Sequence, residues 1–158
     1  MAFRHGLSVA LKAVGPKHYD VAFGESDLAS LHLARKDYTE AVAASRRAIA
    51  VLEEVLGPEH RDLTYPLVAL GEAYIGQGNA KKARAPLERA LKLRALTEGI
   101  PTELHEAKFM LAKALWVTGE KRRAARLARE AHEGYATIES AKEELAEVDS
   151  WLAKKAAR

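Results

Sequence analysis

The stretch LGPEH at residues 56–60 has a counterpart, VGPKH, 42 residues earlier at 14–18. A fixed internal period constrains a fold more than any single motif, because each unit must bury its apolar face against its own copies. Laying residues 22–55 over 64–97 pairs Leu28 with Leu70, Ala41 with Ala83 and Ala48 with Ala90. A third copy, one residue shorter, puts Leu111, Ala124 and Ala131 in the same places. Between these anchors the apolar spacing is helical, as in Leu67, Leu70, Ala73 and Tyr74, or Leu87, Ala90 and Leu91. Each unit is therefore predicted to be a hairpin of two helices.

The punctuation supports the same division. Gly78 in GQGNAKKA and Gly119 in VTGEKRRA stand where a helix ends in the left-handed conformation that glycine tolerates. The first copy, ARKDYTEA, has Lys36 there, with Asp37 and Glu40 spaced as a capping box. The turns are expected near 35–38, 77–80 and 118–121. Gly57 and Pro58 do the matching work between hairpins, stopping one helix and starting the next. The third boundary, EGIPTE, keeps Gly99 and a displaced Pro101 but lacks the histidine. G-P-x-H is thus read as inter-repeat punctuation, not as a ligand set. Alanine, about a fifth of the chain, favours helix throughout.

Several function classes fall away. The chain has no cysteine, so disulfides and thiolate metal sites are excluded. HEAKF and HEGYA open like a zinc helix, but Phe109 and Ala136 take the second histidine's place. GQGNAK lacks the third glycine and the preceding strand of a dinucleotide site. No catalytic motif, metal site or cofactor site is predicted. No apolar run reaches membrane-spanning length, and a cytoplasmic protein without a membrane partner is expected. The net charge of +3 comes from 25 basic and 22 acidic side chains, well mixed, which argues against a dedicated nucleic-acid binder. Lys121, Arg122, Arg123, Arg126 and Arg129 are read as the solvated face of a helix. A convex strip of arginines for anions or nucleic acid is the alternative.

Leu67, Leu70, Gly71, Tyr74, Ala83, Leu87 and Ala90 match in order the W-L-G-Y-A-F-A pattern of the tetratricopeptide repeat. The small positions recur as Ala29, Ala41 and Ala48, and as Ala112, Ala124 and Ala131. The pattern departs at His32 for Tyr74, Ser45 for Leu87, and Glu25 and Lys108 for Leu67. The 42-residue unit with L-G-P-x-H resembles the kinesin-light-chain type of these repeats, also found in bacterial multidomain signalling proteins such as serine/threonine kinases. That resemblance implies an all-α superhelix of three hairpins: repeats over 15–56, 57–98 and 99–138. A leading half-repeat helix (1–14) and a C-terminal capping helix (139–158) flank them, the latter with a capping box at Ser140 and Glu143. We expect the start to be a cut and the end natural, as in the C-terminal part of a longer protein.

The resemblance further implies a non-catalytic protein-interaction module whose first helices line a concave groove for a peptide or helix. Carried over residue by residue, that groove takes Phe23, Ser26, Ser30 and Leu33 from the first repeat. The second contributes Tyr65, Val68, Glu72 and Ile75, and the third Glu106, Phe109, Met110, Lys113 and Trp116. Leu33, Ile75 and Trp116 have the alternative of sealing the next hairpin or the cap. Ser30, Glu72 and Lys113 stand where a clamp for acidic C-terminal tails would need asparagine, so that ligand is not expected. The half-repeat offers a second possibility, homotypic assembly through its apolar face.

Overall fold

The structure, a computed structural model, describes Gly15, residues 18–95 and residues 101–156. Among these are seven α-helices and no strand: α1 (Tyr19–Ala34), α2 (Tyr38–Leu56), α3 (Thr64–Gly76), α4 (Ala80–Ala95), α5 (Pro101–Val117), α6 (Lys121–Tyr135) and α7 (Lys142–Ala156). A short 3-10 turn, Arg61–Leu63, leads into α3. The helices pair as hairpins α1/α2, α3/α4 and α5/α6, and successive hairpins meet through α2/α3 and α4/α5. Helices α1, α3 and α5 also touch in sequence, forming an inner row, and α7 packs onto α6. The all-α hairpin repeat expected from the sequence is what forms. The half-repeat helix expected over 1–14 and the boundary glycine Gly99 lie outside the described residues.

One hydrogen-bond pattern closes all three hairpins. The N–H groups of Asp37, Asn79 and Glu120 donate to the carbonyls of His32, Tyr74 and Leu115 at 2.8, 2.8 and 2.9 Å. One residue earlier, the N–H groups of Lys36, Gly78 and Gly119 donate to Leu33, Ile75 and Trp116. This is the Schellman closure, which needs a left-handed residue. Gly78 and Gly119 supply it at φ 73° and 98°, and Lys36 adopts φ 62° in their place. The capping box expected at Asp37 and Glu40 does not form: Asp37 makes no side-chain cap, and its carboxylate lies 3.7 Å from the His32 ring. Ser140 and Glu143 form no box either, because α7 begins one residue later than that spacing requires, at Lys142.

The G-P-x-H stretches resolve into caps. Gly15 and Gly57 have φ 85° and 88°. The Nδ1 atoms of His18 and His60 accept hydrogen bonds from the Asp20 and Asp62 N–H groups, at 3.2 and 3.3 Å. Each histidine sits in extended backbone at the N-cap of the element that follows. They satisfy donors that a helix start leaves orphaned.

The repeats exchange volume and charge at matched positions. A Cβ on Gly71 would stand 2.4 Å from Leu87 Cγ, so the fully buried leucine fits only because residue 71 is glycine. In the first copy Ala29 faces a smaller partner position, Ser45, and in the third Ala112 is matched with Ala128. Where Leu67 fills the core, the first copy has Glu25 in a two-pronged pair with Arg47, both contacts 2.8 Å. The third copy reverses the signs, with Lys108 3.0 Å from Glu130. Both departures from the repeat pattern are thus answered on the second helix of the same hairpin.

Candidate functional site

The thirteen expected groove residues fall mostly into repeat-equivalent sets, and the sets have different fates. Phe23, Tyr65 and Glu106 share one position. Phe23 and Tyr65 are each 40% exposed, and Glu106 is half-buried. Ser30, Glu72 and Lys113 share a second, all partly exposed. These two positions stay partly exposed on the first helices. Ser26, Val68 and Phe109 share a third, and here the expectation is corrected. They are 1%, 4% and 3% exposed, so this position is packed inside the chain and is not available to line a groove. The Ser26 hydroxyl donates back to the Ala22 carbonyl at 2.9 Å, and Phe109 lies edge-on to Trp151 of the capping helix, ring centres 5.8 Å apart. Trp116 likewise packs edge-on against Trp151 at 5.4 Å and is half-buried by it. Met110 is buried too, whereas Leu33 and Ile75 are partly covered.

At the N-terminal end of the concave side, the Ser30 and Tyr65 hydroxyls are 2.6 Å apart, bridging α1 and α3. Tyr19 stacks obliquely on Phe23 and its hydroxyl donates to Asp62 at 2.7 Å, which with burial pushes the phenol above its ordinary pKa. Tyr19, Phe23, Asp27 and Tyr65 line a cavity of about 400 Å³, with Arg94 and Glu103 on its far wall. Aromatic rings beside a preformed cavity can bury apolar ligand surface at little ordering cost.

The C-terminal end is acidic. Burial, then repulsion from Glu72, pushes the Glu106 carboxyl up to about 6; Glu144 and Glu147 add to this and Lys113 opposes it. Burial also raises Glu72. Lys113 stands 3.1 Å from Glu147 and 4.6 Å from the centre of the Phe109 ring, so one of the four carboxylates has a cation of its own. Glu144, Glu147 and Tyr135 join this end without having been singled out from the sequence. The signal was present: carrying the 41-residue register on into the capping helix places Glu144 on Glu103.

Three of the second-helix arginines are answered within the chain. Arg84 reaches Glu88 and Glu120, Arg123 reaches Glu88 at 2.8 Å, and Arg126 lies 3.8 Å from Glu130. Among the described residues no group of three acidic or histidine side chains is placed to hold a metal ion. No described helix is long and apolar enough to cross a membrane.

These features define a solenoid of helical hairpins with its open face on the first helix of each. Residues 20–95 belong to the tetratricopeptide repeat family, whose model matches that span. Such repeats are generally non-catalytic modules of protein–protein interaction. Among solved structures, the crystal structure of BtubC (BKLC) from P. vanneervenii is similar, with a TM-score of 0.76 at 17% identity. The match covers 86% of this chain and 55% of that one, so the chain spans little more than half of BtubC's length. At that identity the likeness establishes the fold. No curated protein matches the chain in sequence.

Proposed function

We propose that the concave face binds an extended or helical segment of another protein, with apolar residues held at Phe23 and Tyr65 and charged ones at Glu72, Glu106 and Lys113. The observation that carries this reading is the pair Phe23 and Tyr65. Two large aromatic side chains at one repeat position stay 40% exposed beside a cavity of about 400 Å³, although the fold has apolar core to place them in. Exposed aromatics grouped at a concavity mark binding surfaces more often than isolated ones do. The module is non-catalytic in this reading. A scaffolding or regulatory role in a bacterial cytoplasmic signalling protein has the long repeat unit as its support.

The test is selection of peptides on the folded chain, followed by calorimetry of the selected peptide with Phe23→Ala and Tyr65→Ala. Both changes are expected to weaken binding while the thermal midpoint stays close to that of the parent. Peptides that bind equally well to both variants would place the partner elsewhere.

A further inference from the structure

This inference rests on the groove reading above and concerns what its acidic end recognises. Tyr135 is 3% exposed, yet its hydroxyl makes no hydrogen bond among the described residues. It lines a cavity of about 140 Å³ between α5, α6 and α7, walled by Thr102, Glu106, Glu144 and Glu147 with Phe109 beneath. Glu147 has Lys113, whereas Glu106 and Glu144 have no ion pair among the described residues.

The preceding repeat shows which groups meet at such a junction when the chain supplies a cation. Forty-one residues earlier, Arg94 occupies the place of Tyr135, Tyr65 that of Glu106, and Glu103 that of Glu144. There the Arg94 guanidinium meets the Glu103 carboxylate across the join between one hairpin and the next. At the last junction the carboxylate is kept and a second one is added, but a phenol replaces the cation. Burial, and then repulsion from Glu72, Glu144 and Glu147, holds Glu106 well above the usual carboxylate range. An entering cation would relieve that repulsion.

The shape of the pocket narrows the class of cation. The carboxylates are spread around the rim, and no three of them converge as a metal site would need. A guanidinium presents five N–H donors in a planar fork and can span separated acceptors while lying against aromatic rings. The volume suits one side chain. We infer that the cavity between α5, α6 and α7 is a recognition pocket for an arginine side chain of the bound partner segment. Glu106 and Glu144 receive the guanidinium, and the Tyr135 hydroxyl accepts a further N–H.

The test is a titration of the full chain with N-acetyl-L-arginine amide, followed by amide chemical shifts in two-dimensional NMR. Saturable shifts at Thr102, Glu106 and Tyr135 are expected, with a Kd on the order of 1–10 mM for a single side chain. N-acetyl-L-citrulline amide, of the same shape without the charge, should bind at least about tenfold more weakly, as charge-assisted bonds outweigh neutral ones. Glu106→Gln should cost at least about tenfold and Tyr135→Phe about threefold. The glutamine variant keeps the side-chain shape and relieves repulsion, so it is expected to fold. Equal binding of citrulline amide, or an unaffected Glu106→Gln, would overturn the pocket, as would the absence of saturable shifts. The lysine amide binding as tightly as the arginine amide would overturn the guanidinium assignment. Peptides that shift Phe23 and Tyr65 with no preference for arginine would sink the pocket and leave the groove standing. Arginine amide binding without any peptide at Phe23 and Tyr65 would do the reverse.

Discussion

The two ends of the inner row are built on the same repeat and have opposite surfaces. At the N-terminal end, Phe23 and Tyr65 project from α1 and α3 and remain 40% exposed. At the C-terminal end the same repeat position is Glu106, and the aromatic side chains there, Phe109, Trp116 and Trp151, have turned into the seam between α5 and α7. Aromatic residues are therefore surface at one end and packed against the capping helix at the other, although Phe23, Tyr65, Phe109 and Trp116 all lie on first helices. What separates them is the position within the helical turn. Residues equivalent to Phe109 are buried, and Phe23 and its equivalents stay at least partly exposed. An aromatic residue in a repeat protein carries functional meaning only once its repeat position is known.

The largest effect should come from breaking the aromatic seam. Phe109→Ala is expected to lose about 3–5 kcal/mol of stability in urea denaturation, as for other buried Phe-to-Ala changes. Phe23→Ala should stay within about 1 kcal/mol of the parent, as surface changes do. Comparable losses for both would erase the distinction between the two ends. Next in size is Gly71→Leu in the scaffold they share. The Leu87 side chain leaves no room for a Cβ there, and a loss of roughly 1–3 kcal/mol or more is expected from overpacking. An unchanged denaturation midpoint would mean that the helices do not cross at residue 71.

For binding, Tyr65→Ala should weaken a groove peptide by about 2 kcal/mol, near thirtyfold, as loss of an aromatic anchor does. Arg122→Ala and Arg126→Ala on the convex side should change it by less than about twofold, since rim and surface charges contribute little. The reverse pattern, measured by calorimetry, would move the partner to the convex face.

The smallest effect is the pH dependence of the acidic end. Glu106 has its pKa raised to about 6 in the folded chain, from an ordinary value of 4.5. Between those values the folded state holds a proton that the unfolded state has released, so stability falls as pH rises through this window. Above it, the cost of the charged carboxylate is fully present. Glu106→Gln is expected to gain about 1–2 kcal/mol at pH 7.5 and to flatten the slope between pH 4.5 and 6.5. An equal slope in the variant, followed by thermal melting across that range, would assign the effect to other carboxyls.

Much of the fold was legible in the chain. The 42-residue period located the hairpins and Gly78 and Gly119 located their turns; Lys36 stands in the glycine's place by register, but its left-handed φ, where a capping box was expected, is a finding of the structure. These features are local: a helix end and a turn depend on backbone preferences within a few residues. His18 and His60 were legible only as punctuation; the structure makes each an N-cap acting on the residue two places on. The ion pairs at Glu25 and Lys108 were not legible, because their partners Arg47 and Glu130 lie 22 residues away on another helix.

The groove divides along the same line. Periodicity told which residues share a repeat position, and so grouped Phe23 with Tyr65 and Ser26 with Phe109. Which of those positions meets solvent was settled by packing, because a helix in the inner row has neighbours on two sides and only a narrow strip remains open. The acidic pocket needed packing most of all. Tyr135, Glu106 and Glu144 come from three different helices, and only the docking of α7 brings the carboxylates close enough to repel. Sequence thus determined the repeat, its turns and its caps; tertiary contact decided which face is a surface and where its charges collect.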